Sequence, residues 1–282
     1  MIDLHTHSTA SDGTEPAGEV VAAAARAGLQ VVALTDHDTF AGWTAAHEAA
    51  AEHSIALVPG VEVSCSHRGI SVHLLAYLVD PASAPLRAEL DHARESRVTR
   101  VDRMVERMAA DGIPITLEQV RAMATPGATL GRPHIADALV ASGVVRDRGE
   151  AFADVLRNGS RYYVSHYAPD PVRAVELVRE AGGVAVMAHP FASGRGWTVK
   201  DSVIEKMAEA GLAGLEAHHR DHTAAERQHA ERLANRLGLF TTGSSDYHGA
   251  GKENRLGENT THPEVLARIE ELAHSGVEVF RP

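Results

Sequence analysis

Val31-Val32-Ala33-Leu34-Thr35-Asp36-His37-Asp38 is a short apolar run that breaks at once into acids and a histidine. Four apolar residues without polar alternation suit a parallel strand covered on both faces. The flanks read as helix. Upstream, Pro16 opens an Ala-rich segment that Gly28 closes, with Pro at the start and Gly just past the end. Downstream, a second helical pattern covers about 41–53. The same strand-then-helix unit recurs, with strands expected at 2–4, 55–58, 70–78, 184–188, 213–216 and 239–242 and a last short one at 277–279. Seven or eight such units predict a barrel-like α/β domain.

Between about residues 81 and 168 the alternation stops and the pattern becomes helical and polar, at 86–111, 117–124, 133–142 and 149–158. This predicts a barrel domain from 1–80 and 169–282, with a helical insertion (81–168) between strands four and five covering one mouth. The first long insertion helix is rich in Arg and Glu and reads as a solvated face laced with ion pairs.

Composition narrows the chemistry. The chain has 282 residues and a formal charge of −11, so it offers no polycationic surface for duplex DNA or an acidic membrane. No apolar run approaches the ~20 residues of a membrane helix, and Met1-Ile2-Asp3-Leu4-His5 has no export signal, which makes the cytoplasm the default compartment. The single cysteine, Cys65, excludes an internal disulfide and a Cys-rich zinc site. It also lacks the arginine six residues on that a cysteine phosphatase needs. Histidine is in excess, at 18 residues.

Those histidines and acids recur where strands end: His5-Thr6-His7 with Asp12, then Asp36-His37-Asp38, Glu62, His73, Ala188-His189-Pro190, and Asp246-Tyr247-His248. In a parallel barrel all strand C-termini open on one face. Residues two apart in an extended segment share a side, which pairs His5 with His7 and Asp246 with His248. Singly each motif is weak: a His-x-His can end a strand, His73 can be a bonded core histidine, and Asp36 or Asp38 can serve a turn or helix N-cap. Six such clusters together would bury many uncompensated groups unless a ligand united them. Imidazole and carboxylate without thiolate suits Mn, Fe or Zn.

His5-Thr6-His7-Ser8, Ser11-Asp12-Gly13, Thr35-Asp36-His37-Asp38, Pro59-Gly60-Val61-Glu62, Ala188-His189-Pro190 and Ser245-Asp246-Tyr247-His248 resemble the motifs of the PHP (polymerase and histidinol phosphatase) family. With Gly131-Arg132-Pro133-His134-Ile135-Ala136 in the insertion, the chain is similar to the standalone branch that includes nucleoside 3′,5′-bisphosphate phosphatases and the oligoribonuclease called ribonuclease AM. The resemblance implies a distorted (β/α)7 TIM-like barrel with two or three divalent ions. Carried over, His5, His7, Glu62 and Asp246 would hold the first metal, and Glu62, His73 and His189 the second. Asp12, His37 and His248 would hold the third, with Asp36 or Asp38 a candidate acceptor behind His37. A bridging hydroxide held by the metals at Glu62, His73, His189 and Asp246 would attack phosphorus.

Arg132, His134 and Arg195 are candidate phosphate ligands, and His219 or His222 a candidate general acid, although the cluster from His218 to His222 also reads as a solvated loop. The expected substrate is a small phosphorylated one: a nucleoside bisphosphate, a nucleoside monophosphate or short 5′-phosphorylated RNA. Competing readings are a histidinol-phosphate phosphatase, an amidohydrolase, which also opens its barrel with His-x-His, and a non-catalytic binding module.

Overall fold

The apolar run 31–34 forms a strand, β2 (Val31–Leu34), with all four residues buried. It pairs in parallel with β1 (Ile2–Asp3) on one side and β3 (Ala56–His67) on the other. The computed structural model describes residues 1–125, 128 and 130–282. The sheet continues through β4 (Ile70–Tyr77), β5 (Val184–Met187), β6 (Gly214–His218) and β7 (Phe240–Gly243), in the order in which the strands occur in the chain. Backbone bonds beyond the first and last strands nearly close it into a seven-stranded barrel. Thr6 bridges Tyr247 in parallel, and the His7 amide donates to the Tyr247 carbonyl at 2.8 Å. The Asp3 carboxylate accepts from the Ser245 and Gly257 amides at 3.0 and 2.9 Å, tying the same seam. Burial pushes this carboxyl up to about 6.

Helices α1 (Ala17–Arg26) and α2 (Trp43–His53) cover β2 and the start of β3, burying Val21, Ala24, Ala46 and Ala50 against Val32, Leu34 and Leu57. Helices α7 (Pro171–Glu180), α8 (Asp201–Ala210) and α9 (Ala224–Leu237) cover β3 to β6 through a second apolar cluster that includes Val178, Ile204 and Leu233. The last helix is α10 (Pro263–Leu272).

Two strand expectations are corrected. β4 is antiparallel to both neighbours. It returns from β3 through a two-residue turn, Arg68-Gly69, with φ of +52° and +85°. Two consecutive positive φ values are the requirement of a tight hairpin turn, and a glycine at the second position supplies one without strain. Residues 277–279 are not a strand, and the C-terminal segment pairs with the sheet through an antiparallel bridge between Phe280 and Leu57.

Among the described residues four helices stand between β4 and α7: α3 (Ala84–Ala110), α4 (Leu117–Ala122), α5 (Arg132–Ala141) and α6 (Arg148–Ala153). They bury their own apolar cluster, including Met104, Met108, Ile135, Leu139 and Leu156. The long helix α3 is not solvated throughout, because Arg97 and Arg100 are turned inward, with Arg100 only 7% exposed. Among the described residues, no helix is long and apolar enough to cross a membrane.

Candidate metal centre and active site

Glu62, on β3, is buried and surrounded by five imidazoles. Its Oε2 lies 3.2 Å from His5 Nε2, 3.0 Å from His7 Nε2 and 3.2 Å from His37 Nδ1. Its Oε1 lies 2.9 Å from His73 Nδ1 and 3.5 Å from His189 Nε2. Asp246 Oδ1 sits 3.4 Å from His5 Nε2 and 3.5 Å from His7 Nε2. On the far side of His7, Asp12 meets His37 at 3.8 Å and His248 at 3.2 Å. All nine side chains that sequence analysis offered as ligands are therefore brought together. Eight of them form three groups of donor atoms, each within 4.8 Å: His5-His7-Asp246, His37-Glu62-His73 and His7-Asp12-His37-His248; His189 stands outside these groups, at 3.5 Å from Glu62 Oε1. The groupings differ from the carried-over sets: Glu62 is absent from the first, His37 replaces His189 in the second, and His7 joins the third.

His73 reaches the cluster from an antiparallel strand, through its register opposite Ser64. Its place therefore does not depend on a strand C-terminus. Asp38, His189 and Asp246 have positive φ (53°, 29° and 54°). Such backbone costs about 1–3 kcal/mol each and persists where the surroundings fix it. Gly13 is equally constrained, since a Cβ there would meet the His7 carbonyl at 2.6 Å.

The donor set fits a cation. His248 Nδ1 donates to the Asp246 carbonyl at 2.9 Å. Burial and then Lys252 lower this ring to about 4, so it is neutral with its lone pair on Nε2. That lone pair faces Asp12 Oδ1 at 3.2 Å. Burial would raise the Asp12 carboxyl, but His248 and His37 hold it well below the usual range, so it is ionised. Two electron pairs thus oppose each other with no proton between them, an arrangement that a divalent ion relieves. The Glu62 carboxyl is likewise held low, since His37, His5 and His73 outweigh its burial.

The cluster is braced from behind. Glu216 on β6 is fully buried and accepts from His5 Nδ1 at 3.0 Å and from the His189 amide at 2.9 Å. His5 Nε2 is thereby aimed at Glu62 and Asp246. Asp36 accepts from Ser8 N, Ser8 Oγ and Ser11 Oγ (2.8, 2.6 and 2.6 Å), which pins the loop carrying His7 and Asp12. Asp38 accepts from Ser64 N and Oγ, both at 2.8 Å, and pairs with Arg97 at 3.2 Å. Neither caps α2, whose N-cap is Gly42.

The remaining candidates divide. Arg195 reaches in, donating to Asp246 Oδ2 at 2.6 Å and to Asp221. Lys252 meets the same oxygen at 2.9 Å. Burial would raise the Asp246 carboxyl, but Lys252 and Arg195, with His5 and His248, hold it well below. His219 is fully buried, not part of a solvated loop. Its Nδ1 accepts from the Asp221 amide at 3.0 Å, so a neutral ring carries its proton on Nε2, 3.4 Å from Asp246 Oδ2. His222 does not fit the acid role. Its Nε2 accepts from the Phe191 amide and its Nδ1 donates to the Ala217 carbonyl, so both nitrogens are spent on backbone. His134 is not a cationic clamp either, because its Nδ1 accepts from the Gly131 amide at the start of α5 and burial lowers its pKa. Arg132 Nη1 is held in the helical segment by Leu156 O at 3.0 Å and Asn158 Oδ1 at 2.8 Å.

Comparison with known proteins accords with this geometry. The PHP domain pattern matches residues 3–83. A 3′,5′-nucleoside bisphosphate phosphatase of Chromobacterium violaceum is 35% identical over 268 residues, spanning 95% of this chain and 93% of that protein. The chain belongs to the PHP family of metal-dependent phosphoesterases. A PHP relative from Haemophilus influenzae, a 5′-3′ exoribonuclease, is 34% identical over 258 residues, 91% of this chain and 93% of its own. A solved structure from Bifidobacterium adolescentis, assigned to the metal-dependent phosphoesterases, superposes with a TM-score of 0.94 at 40% identity, covering 97% of this chain and 96% of that one.

For this PHP chain the sequence reading missed Glu216, Lys252, Arg97 and Arg100. Glu216 had a signal, as an acid closing an apolar strand. The other three lie in polar stretches where buried and solvated cations look alike. Replacing Glu216 by Gln is expected to lower metal affinity about 10–100-fold, the usual effect of losing a carboxylate behind a ligating histidine. Titration calorimetry with Mn²⁺ checks this, and unchanged affinity would remove Glu216 from the site.

Proposed function

We propose that this enzyme hydrolyses phosphate esters of a nucleotide-like substrate, with a nucleoside bisphosphate or the end of a short 5′-phosphorylated RNA as the preferred class. The reading rests on the confronted lone pairs of His248 and Asp12 beside the Glu62 cluster, set among basic side chains. His5, His7, Glu62 and Asp246 would hold one divalent ion and Glu62, His73 and His189 a second. Asp12, His37 and His248 would hold a third, with Mn, Fe or Zn all suited to these donors. Such ions supply an activated water and neutralise charge on phosphate oxygens.

The chain's own groups do the rest. Arg195 and Lys252, both on Asp246 Oδ2, stand ready to bind non-bridging phosphate oxygens. His219 holds a proton on Nε2 beside that carboxylate and would donate a hydrogen bond from it to the departing oxygen. Residues 81–168 act as a cap that brings further cations over the mouth. Arg195→Ala is expected to lower kcat/KM about 10–100-fold, the worth of a charge-assisted hydrogen bond, mainly through KM. A full effect on kcat with unchanged KM would contradict this placement.

A panel of adenosine 3′,5′-bisphosphate, AMP, a 5′-phosphorylated oligoribonucleotide and histidinol phosphate, assayed with Mn²⁺, tests the substrate reading. The nucleotides are expected to give the highest kcat/KM. Faster turnover of histidinol phosphate would overturn it.

A further inference from the structure

The barrel sheet is left open at one seam. Among the described residues, the segments that follow β1 and β7 meet through an isolated bridge, Thr6 with Tyr247, rather than a ladder. Two loops face each other along this seam, 8–15 and 247–250. One carries Asp12 and the other His248, whose side chains meet at 3.2 Å. Asp246 also faces His5 and His7 across the seam, but there the main chain joins the two sides. The His7 amide donates to the Tyr247 carbonyl at 2.8 Å, and the Ser245 amide donates to Asp3 at 3.0 Å.

Asp12 and His248 are joined by a separate set of contacts, farther out. The Tyr247 hydroxyl donates to Glu15, with each carboxylate oxygen at 3.1 Å. The Thr14 amide and hydroxyl both reach the His248 carbonyl, at 3.1 and 3.2 Å, and the hydroxyl oxygen accepts from the Ala250 amide at 2.8 Å. Gly249, with φ of +65°, turns the chain beneath Thr14, and a Cβ there would strike the Thr14 hydroxyl. The root of the Asp12 loop is pinned independently, by Asp36 on Ser8 and Ser11. The His248 loop is held from the cap side, where Arg148 on α6, paired with Asp137 at 2.6 Å, donates to the Gly251 carbonyl at 3.4 Å. Thr14 and Glu15 therefore decide how closely the outer part of one loop approaches the other. Their contacts lie at the surface: Thr14 is exposed and Glu15 and Tyr247 are half-buried, whereas Asp12 and His248 are buried.

We propose that Thr14, Glu15 and Tyr247 form a clasp that sets Asp12 against His248, so that the third ion is held or released separately from the other two. This rests on the three-ion reading above and goes beyond it, because the clasp residues are not ligands; all three are positioning residues. Two donors already fixed at ion-binding spacing lose little freedom when the ion arrives, whereas an unclasped loop has to be ordered each time. The other donors do not depend on the clasp. His5 is aimed by Glu216, Glu62 and His73 are set by the register of β3 and β4, and Asp246 is placed by main-chain bonds of its neighbours that no side-chain substitution removes.

The experiment counts Mn²⁺ on the full chain. Wild type, Tyr247→Phe, Glu15→Ala and Glu15→Gln are stripped of divalent ions and titrated with Mn²⁺ alone by calorimetry, and manganese per chain is measured after equilibrium dialysis. Wild type is expected to take three ions. Tyr247→Phe and Glu15→Ala should each hold the third about tenfold or more weakly, the worth of a hydrogen bond to a charged group, with the other two within about threefold of wild type. Glu15→Gln still presents an oxygen to the Tyr247 hydroxyl and should recover most of the loss. A merely structural contact would instead lower the melting temperature and weaken all the ions together. Wild-type affinity for three ions in both Tyr247→Phe and Glu15→Ala, or an equal loss at every site, overturns the clasp. A wild type that takes only two ions at saturating Mn²⁺ overturns the third site and the clasp with it, and leaves the two-ion phosphoesterase centre standing. A wild type that takes none overturns the metal reading as a whole.

Discussion

Glu62→Gln is expected to cut turnover by about 10³-fold or more, as for removal of a preorganised electrostatic group at a reacting centre, with Mn²⁺ saturating. The two oxygens of Glu62 face different histidines: His5, His7 and His37 on one, His73 and His189 on the other. No other carboxylate in the cluster touches both sets, so its charge joins the donor groups into one centre. Glutamine keeps the shape but presents an amide, with two donors, to nitrogens that must offer lone pairs to a metal. In the metal-free protein the same change leaves buried imidazolium without its counter-charge, a loss of about 3–5 kcal/mol of stability. Steady-state kinetics and thermal unfolding measure the two effects. Wild-type turnover in a folded Glu62→Gln protein would refute the assignment.

The second large effect is on pH. Burial would lower His7, but bonds to Asp246 and Glu62 raise it to about 9. His5 is raised well above its usual value against its own burial by Glu62, Glu216 and Asp246. Their Nε2 atoms lie 3.0 Å apart, so the metal-free pair holds a proton between them at neutral pH, and a metal binds only as that proton leaves. With one proton released, affinity is expected to rise about 10-fold per pH unit between pH 6 and 8. Stability of the metal-free protein has the opposite sign. A histidine whose folded pKa lies above its unfolded ~6.5 stabilises fully below that value, and the contribution is lost as pH rises through about 9. Calorimetry in buffers of different ionisation enthalpy counts the protons directly, and a pH-independent affinity with no proton release would contradict the ligand set.

Much of this was legible in the sequence because barrel strands end in a way that concentrates chemistry. The run 31–34 ends in Asp36-His37-Asp38, and that punctuation recurs, so the elements and all nine side chains of the centre could be picked out along the chain. The direction of β4 was harder to read. A parallel strand and the return arm of a hairpin are both apolar, and only Arg68-Gly69, with its paired positive φ, distinguishes them. The cap was harder still. α3 alternates Arg and Glu like an exposed helix, and nothing local marks Arg97 and Arg100 as the residues turned inward. Their burial is decided by Ser64, Asp38, Tyr163 and His166, which are distant in the chain. His222 is the reverse case, a histidine in a reactive-looking cluster whose two nitrogens are absorbed by backbone groups that sequence does not display.

Anomalous diffraction from crystals grown with Mn²⁺, recorded at and away from the manganese edge, tests the central claim most directly. At least two peaks are expected, one beside each oxygen of Glu62, with His5, His7 and Asp246 around the first and His73 and His189 around the second. A map with no peak in contact with Glu62, from crystals of protein that hydrolyses phosphate esters, would contradict it.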